Sequence, residues 1–279
     1  MKYNFIDNIK LKFNLNRDMA LPRLSSTPQS VAIEEINLKV TSIESYSRGS
    51  AFHPTKNSTA TGFFVKKGED TYLITNRHVV INEEKEYYPD FLKITIHNST
   101  TTLTSIRKVE IPLYNEGTQL WLEHNDNIII TEIKEKIDVV AIKITNYLQP
   151  TDVINHFTYD DLPTIGTVIA LGDPCLVIGF PYSFQDETHF LPIARSGTVA
   201  STWRSFFRGK KLFLLDSILH PGTSGSPVLI PEASIRRTAT STMVGEYFPP
   251  LLIGIQSGEY PGLNLNAIWY SFLIEEIIP

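Results

Sequence analysis

The sequence predicts an all-β fold, and three observations support this prediction. Short segments rich in β-branched and aromatic residues recur along most of the chain, as is typical of strands. Turn-forming residues such as Asn, Asp, Gly and Lys separate these segments. The segments fall into two sets on either side of a connecting stretch at residues 150–163, which carries prolines and acidic residues. Two such sets predict either two antiparallel β-barrels or one broad sandwich.

The two sets define a simple domain organisation. We interpret residues 31–150 as the first β-barrel, with strands predicted at residues 36–42, 62–66, 72–75, 92–97, 108–113, 119–122, 128–132 and 139–144. Residues 151–279 are interpreted as the second barrel, with strands predicted at residues 167–171, 174–179, 193–201, 211–215, 227–230 and 251–256. Apolar residues near helical spacing predict a closing C-terminal helix over residues 266–278. Residues 1–30 are predicted to form an N-terminal extension.

Composition excludes several classes of function. A chain of 279 residues with 42% hydrophobic residues can bury a large core. Its formal net charge of −5, without a dense basic block, argues against nucleic-acid binding. The apolar runs are too short to span a bilayer, and the charged N-terminus does not resemble a signal peptide. A single cysteine, Cys175, rules out intramolecular disulfides. We therefore expect a cytoplasmic protein with no membrane or nucleic-acid partner.

No cofactor or metal site is expected. The histidines lack the spacing of metal ligands, and the sequence contains no His-Glu-x-x-His motif, Walker loop or dinucleotide fingerprint. Cys175 lies inside a predicted strand, which favours a buried hydrophobic role over a nucleophilic one.

The most informative segment is the run His220-Pro221-Gly222-Thr223-Ser224-Gly225-Ser226-Pro227. A serine beside glycines, shortly after an apolar stretch, predicts a hydroxyl exposed on a tight turn. Glycine also brings unhindered N–H groups close to a bound carbonyl. Taken alone, Ser224 could equally be a turn serine, since Gly-Ser-Gly runs are common in loops.

A base and an acid upstream favour a nucleophilic role for this serine. His78 ends the apolar segment that begins at Tyr72, and Asp138 precedes a second apolar segment. A serine hydroxyl is a weak nucleophile until a base removes its proton, and imidazole titrates near neutral pH. A carboxylate then holds the imidazole tautomer and stabilises the imidazolium. An isolated histidine or aspartate at a strand end would more often be structural, so the assignment depends on all three residues together.

The order of the three residues separates known serine hydrolase classes. In α/β-hydrolases the histidine comes last, but the last histidine here, His220, precedes Ser224. The Gly-x-Ser-x-Gly elbow also fails, because Ser226 occupies the position of the final glycine. The subtilisin order needs an aspartate before His78, where Asp70 lies only eight residues away in a predicted turn. The order His, Asp, Ser of chymotrypsin fits.

The sequence resembles trypsin-like serine peptidases of the chymotrypsin fold, nearer to bacterial HtrA-type and glutamyl-endopeptidase-type members than to digestive trypsins. The resemblance spans roughly residues 50–278 and depends on five segments in order: residues 60–65, 74–80, 138–144, 176–181 and 222–227, the last followed by residues 253–258. It implies two antiparallel, six-stranded-type β-barrels with the site between them, rather than a sandwich.

The resemblance also implies residue roles. Ser224 would be the nucleophile, His78 the general base and Asp138 the orienting acid. The backbone N–H groups of Gly222 and Ser224 would form the oxyanion hole. Ser257 falls where the family has a serine that supports the aspartate.

Substrate recognition is implied at two places. The segment Ser257-Gly258-Glu259 would offer a strand edge to the substrate backbone. The primary pocket would be built from four residues: Ile218, Leu219, His220 and Gln256.

Two departures from the family pattern refine these expectations. Digestive trypsins have an aspartate at the position of Thr223, which pairs with a new N-terminus after zymogen cleavage; Thr223 cannot form that ion pair. No acidic residue lies six positions before Ser224, where Ile218 stands, which argues against a preference for Lys or Arg. Glutamyl endopeptidases have histidine at the position of Gln256. A small, apolar or amide-bearing residue before the scissile bond is therefore expected.

Two alternatives to a constitutive endopeptidase acting on protein or peptide substrates remain open. The first is an inactive module that binds peptides or partners on the same scaffold. The second is a peptidase that is silent until a regulatory protein partner or ligand orders its oxyanion hole. The long insertion between His78 and Asp138 and the N-terminal extension would suit such regulation.

Overall fold

The computed structural model describes residues 34–49, 54–129 and 136–279 of the chain. The N-terminal extension expected at residues 1–30 lies outside the described residues. No helix in the described part of the chain is both long enough and apolar enough to cross a membrane.

Nine strands lie within the described residues up to residue 150. They are β1 (Val40–Ser47), β2 (Thr55–Lys67), β3 (Asp70–Thr75), β4 (Phe91–His97), β5 (Ile106–Pro112), β6 (Tyr114–Asn115), β7 (Thr118–Gln119), β8 (Trp121–Glu123) and β9 (Val140–Lys143). Seven of them form an antiparallel sheet in the spatial order β5-β4-β1-β2-β3-β9-β8, while β6 and β7 pair with each other.

Eight strands follow. They are β10 (Pro174–Gly179), β11 (Ile193–Val199), β12 (Leu212–Asp216), β13 (Pro227–Ile230), β14 (Ala233–Arg237), β15 (Thr242–Phe248), β16 (Leu251–Tyr260) and β17 (Leu265–Tyr270). Six of them close into a barrel in the order β10-β11-β12-β17-β16-β13, and β14 and β15 form a separate hairpin.

Short helices connect the strands. The α-helices are α1 (Arg77–Val80), α2 (Asn125–Ile129) and α3 (Leu273–Ile277). The 3-10 helices are Glu35–Leu38, Glu83–Lys85, Thr145–Tyr147, Tyr159–Asp161, Pro181–Ser183 and Phe207–Gly209.

The wall made by β2 and β3 faces two apolar cores. Side chains alternate across a strand, so Phe64 and Leu73 face the core of the first sheet, whereas Phe63 and Ile74 face the opposite side. There they meet second-barrel residues such as Trp269, in a core that both sheets and α3 share. Burial on both faces explains why the paired runs 63–65 of β2 and 72–74 of β3 are entirely apolar. The shared core holds the two sheets together beside the ends of β3, β9 and β13.

The predicted all-β class with two barrel-like sheets and a C-terminal helix is confirmed, and the strand count of the first sheet is corrected. That sheet has seven strands, not six, and β5 and β8 do not pair among the described residues, so it is not closed. The extra strand, β8, is only three residues long and ends where the chain turns into α2. The limits at residues 31–150 and 151–279 stay a prediction.

Three predicted elements are wrong in type or extent. Residues 35–38 form a 3-10 helix before β1, and residues 128–129 belong to α2 rather than to a strand; residues 130–132 lie outside the described residues. Residues 167–171 contain a single bridge, from Thr167 to Thr238, instead of a strand. A short apolar run such as Ile128-Ile129-Ile130 suits either a helix or a strand, and tertiary packing decides between them.

The C-terminal helix is shorter than predicted. Residues 265–270 form β17, which pairs with β12 on one side and β16 on the other, and only residues 273–277 are helical. Ile268 and Tyr270 face the barrel core while Trp269 faces the shared core. Because both faces of β17 are buried, apolar and polar residues do not alternate along it, and the spacing of its apolar residues resembles that of a helix. The hairpin of β14 and β15 was not predicted.

Residues 150–163, predicted as a linker, pack on the first sheet. Phe157 donates its N–H to Phe64 O at 2.8 Å and accepts from Lys66 N–H at 2.9 Å, which forms a single parallel bridge to Val65 on β2. The connection between the two sheets is therefore held to β2 by backbone hydrogen bonds.

Candidate active site

His78 and Asp138 are joined by two hydrogen bonds. His78 lies in the first turn of α1, directly after β3, and Asp138 lies two residues before β9. The Asp138 carboxylate accepts from His78 Nδ1–H at 2.7 Å through Oδ2 and from the His78 backbone N–H at 2.8 Å through Oδ1. Because β3 and β9 are neighbouring strands, their ends bring these residues together. The contact orients the imidazole with Nδ1–H toward the carboxylate and leaves Nε2 free to accept a proton.

The same contact determines the electrostatics of the pair. Burial of the imidazole opposes its protonation, but the charge and hydrogen bond of Asp138 outweigh burial and raise the pKa of His78. The charge of Lys85 acts in the opposite direction. Burial favours the neutral form of Asp138, yet interaction with His78 and the hydrogen bond from Ser257 keep the pKa of Asp138 below its usual range. Asp138 is therefore a carboxylate at neutral pH.

Ser224 lies on a tight turn before β13, as predicted. Gly222 and Gly225 flank it with φ angles of 97° and 85°, in the left-handed region that favours glycine. A Cβ at position 222 would lie 2.5 Å from Phe180 O, and one at position 225 would lie 2.1 Å from Thr61 O. Only glycine fits at either position, so the Gly-x-Ser-Gly pattern reflects close backbone approach.

The backbone N–H groups of Gly222 and Ser224 have no hydrogen-bond acceptor among the described residues. The neighbouring N–H groups are all used: Thr223 donates to His220 O, Gly225 to Gln256 O and Ser226 to Thr223 O, at 2.9–3.2 Å. Two unpaired donors, separated by one residue and close to a serine hydroxyl, are the kind of groups that can bind a developing oxyanion.

Thr61 on β2 holds this turn in place and was missed by the sequence analysis. Its hydroxyl donates to Gly222 O at 2.8 Å and accepts from Phe180 N–H at 3.0 Å, and its N–H donates to Ser224 O at 2.8 Å. Thr75 donates in turn to Thr61 O at 2.8 Å. A threonine beside the glycine of the segment 60–65 was the available signal, but its partner lies 161 residues away.

Ser257 contacts both the acid and the nucleophile. Its hydroxyl donates to Asp138 Oδ2 at 2.5 Å, in the position that the family resemblance implied. Its carbonyl oxygen accepts from Ser224 Oγ at 3.3 Å and from Gln256 Nε2 at 3.2 Å. Among the described residues no hydrogen bond joins Ser224 Oγ to His78. The three predicted triad residues thus converge around Ser257, with the serine hydroxyl turned to the Ser257 carbonyl.

The residues expected to bind substrate occupy different environments. Ser257, Gly258 and Glu259 line a groove of about 750 Å³ that also contains His78 and Asp138. Gly258 and Glu259 are exposed, so the edge of β16 is open beside the pair. The groove continues along Tyr260 and β17 on one side and α1 on the other.

The four residues expected in the primary pocket divide into two kinds. Ile218 is 55% exposed, and the half-buried His220 ring stacks on Tyr182 with centroids 5.3 Å apart. Leu219 packs in the core of the second barrel, and Gln256 is 4% exposed. Leu219 is 7% exposed, so its side chain offers little surface to a ligand.

No group of three or more His, Cys, Asp or Glu side chains in the described ranges is arranged to hold a metal ion. Cys175 is buried, and burial raises its pKa to about 12, so the thiolate is not formed at neutral pH.

The turn geometry predicts a strong penalty for any side chain at position 225. Gly225→Ala should lower the free energy of unfolding by about 1–3 kcal/mol or more, because the added Cβ collides with Thr61 O and the φ angle is unfavourable. Urea unfolding followed by tryptophan fluorescence measures this effect. Gly166→Ala is the matched control, because its Cβ would meet nothing within 4 Å. Equal stability of both variants would contradict the described turn.

Comparison with known proteins agrees with this geometry. No curated protein matches the chain. Residues 60–233, more than half of the chain, match the family Trypsin-like peptidase domain, and this range contains the histidine, the aspartate and the serine turn described above. The chain belongs to the trypsin-like peptidase family.

Proposed function

We propose that the protein is a serine endopeptidase that hydrolyses peptide bonds with Ser224, His78 and Asp138. The observation that carries this proposal is the double hydrogen bond between Asp138 and His78, at 2.7 and 2.8 Å, beside a serine turn with two unpaired N–H groups. Both features have a direct role in acyl transfer, because the carboxylate orients the imidazole and the N–H groups are placed to hold an oxyanion. Membership of the peptidase family supports the same reaction.

The proposed reaction proceeds in two steps. Ser224 Oγ attacks the carbonyl carbon of the scissile bond while His78 Nε2 takes the hydroxyl proton, and the carbonyl oxygen becomes an oxyanion held by the N–H groups of Gly222 and Ser224. The intermediate collapses, the C–N bond breaks and His78 returns the proton to the leaving amine. Water then attacks the acyl-enzyme ester by the same route, which releases the acid and restores the serine hydroxyl.

The contact between Ser224 Oγ and the Ser257 carbonyl defines the resting state in this scheme. The proposed reaction requires the hydroxyl to exchange Ser257 O for His78 Nε2 as its hydrogen-bond partner, by a rotation about the serine side-chain bond between staggered rotamers. A peptide that pairs with the open edge at Gly258 and Glu259 would present a backbone N–H to the same carbonyl. The substrate would then replace the serine as donor.

The pocket residues support a preference for a small, apolar or amide-bearing residue before the scissile bond. The exposed Ile218 side chain is apolar, and no carboxylate lies at that position to pair with Lys or Arg. Thr223, whose hydroxyl donates to His220 O at 2.7 Å, cannot form the activating ion pair of digestive trypsins. These features support a subtype nearer to HtrA-type and glutamyl-endopeptidase-type peptidases.

Regulation by a partner is the second candidate. The observation in its favour is that the Ser224 hydroxyl is bonded to Ser257 O and not to His78. The φ of 97° at Gly222 and the unpaired N–H groups argue against it, since a partner-dependent enzyme needs an unformed oxyanion hole. Activity that appears only after a partner protein is added would favour regulation, and failure of an intact serine to react at all would favour an inactive binding module.

Ser224→Ala should abolish peptide hydrolysis, with a loss of at least about 10³-fold, while the fold stays intact. Removal of the hydroxyl costs little packing, because Ser224 is only half-buried. His78→Ala should be about as damaging, since triad members act as a unit. Cleavage of casein and of a peptide library measures both effects. A fluorophosphonate probe should label Ser224 of the wild-type protein and should not label the Ser224→Ala variant. Ser196→Ala, at an exposed position of β11, is the matched control; equal activity of Ser224→Ala and wild type rejects the assignment.

The pH dependence follows from the direction of the His78 shift. The base is the neutral imidazole, so kcat/KM should rise with pH and reach half its maximum above about pH 6.5, the ordinary value for histidine. Asp138→Asn should move this midpoint down, because the charge that favours the imidazolium is lost. It should also lower kcat by about 10⁴-fold. Rates on an uncharged substrate between pH 5 and 9 test this, and a wild-type midpoint below that of Asp138→Asn would contradict it.

A further inference from the structure

Asn127 binds the backbone of the residue that precedes the proposed catalytic acid. Its Oδ1 accepts from Ile137 N–H at 2.7 Å, and its Nδ2 donates to Ile137 O at 2.9 Å. The side-chain amide therefore satisfies both the backbone N–H and the backbone carbonyl of Ile137, as a neighbouring strand would. Asn127 lies on α2 and is 8% exposed, so water does not compete for these bonds.

The same amide connects to the residue that precedes the proposed base. Asn127 Nδ2 also donates to Glu123 Oε2 at 3.2 Å, and that oxygen accepts from Arg77 Nε at 2.7 Å. The side chains of Arg77 and Glu123 are each only 8% exposed. A buried chain of contacts thus runs from Arg77, beside His78, through Glu123 and Asn127 to Ile137, beside Asp138.

A second, exposed arm joins the same two segments. Arg77 donates to both carboxylate oxygens of Glu83 at 2.8 and 2.6 Å, and Lys136 donates to Glu83 at 2.9 Å. Burial opposes the charge of the guanidinium, but hydrogen bonds to Glu83 and Glu123 outweigh it and raise the pKa of Arg77. Glu83 and Lys136 are 43% and 42% exposed, so this arm contributes little, and the buried arm carries the connection.

We propose that Asn127 and Glu123 are positioning residues that hold the Asp138 segment at the correct distance from His78. This inference rests on the proposed function. Asp138 itself is anchored by its carboxylate contacts and by Asn76, whose Nδ2 donates to Asp138 O at 2.8 Å. Ile137, in contrast, follows residues 130–135 and precedes the first strand pairing, which begins at Val140. The Asn127 amide supplies the missing backbone partner at Ile137. A shift of about 1 Å in a catalytic group can cost about 10²-fold in rate, so such a partner has a functional consequence.

The decisive experiment separates positioning from a merely structural role. Asn127→Ala should lower kcat per active site by about 10- to 100-fold with little change in KM, after active sites are titrated with a fluorophosphonate. It should also move the pH midpoint of kcat/KM down, because a displaced Asp138 favours the imidazolium less. Glu123→Gln, which keeps the shape of the side chain, should also lower kcat and the pH midpoint, but by less. This variant replaces Asn127→Ala in the test if Asn127→Ala does not fold.

Thr41→Val is the matched control. Thr41 is 1% exposed and likewise bonds both backbone groups of one residue, donating to Thr95 O at 2.7 Å and accepting from Thr95 N–H at 3.1 Å, within the first sheet. It should lower the stability comparably and leave both kcat per active site and the pH midpoint unchanged. If Asn127→Ala shows a wild-type kcat, or a lower kcat with an unchanged midpoint, the positioning role is overturned.

A measurement without substrate keeps the two proposals separable. The His78 imidazole can be titrated by NMR in wild type, Asn127→Ala and Thr41→Val. A lower His78 midpoint in Asn127→Ala alone supports positioning even if no peptide is hydrolysed, in which case only the proposed function fails. Equal midpoints in all three proteins overturn the positioning role whatever the activity.

Discussion

The carboxylate of Asp138 is the group on which the site depends. A buried charge is costly unless it is paired and hydrogen-bonded, and here three donors surround the carboxylate: His78 N–H, His78 Nδ1–H and Ser257 Oγ. Two of these donors come from the first sheet and one from the second barrel. The carboxylate is therefore fully satisfied only when both sheets are folded and packed. This requirement links the integrity of the site to the shared core between the sheets.

A second link between the sheets works through the backbone. Thr61 on β2 holds the carbonyl oxygens of Gly222 and Ser224, so the turn that carries the nucleophile is bonded to the strand that lines the first core. The first sheet thus supplies the base and the acid and also shapes the turn of the second barrel. Packing between the sheets converts two separate sets of polar groups into one site.

Long apolar segments and special residues were the reliable signals in the sequence. The strands β3, β4, β10 and β13 were predicted within two residues of their bounds, because each is flanked by clear turn residues. The element β17 was not recognised, since its position between β12 and β16 buries both of its faces and removes the alternation that identifies a strand. The hairpin of β14 and β15 was missed because apolar side chains such as Val244 are exposed on it, so its sequence shows no single buried apolar face.

The sequence by itself determined the fold class, the order of histidine, aspartate and serine, and the glycines that shape the serine turn. These features are local: each depends on a residue type and its immediate neighbours along the chain. Tertiary structure alone decided which groups meet, including Thr61 with Gly222, Ser257 with Asp138, and Asn127 with Ile137. Such contacts depend on the packing of strand ends from different sheets and on the direction of single side chains. No periodicity or spacing records them, because the free energy that selects them comes from burial in the folded protein.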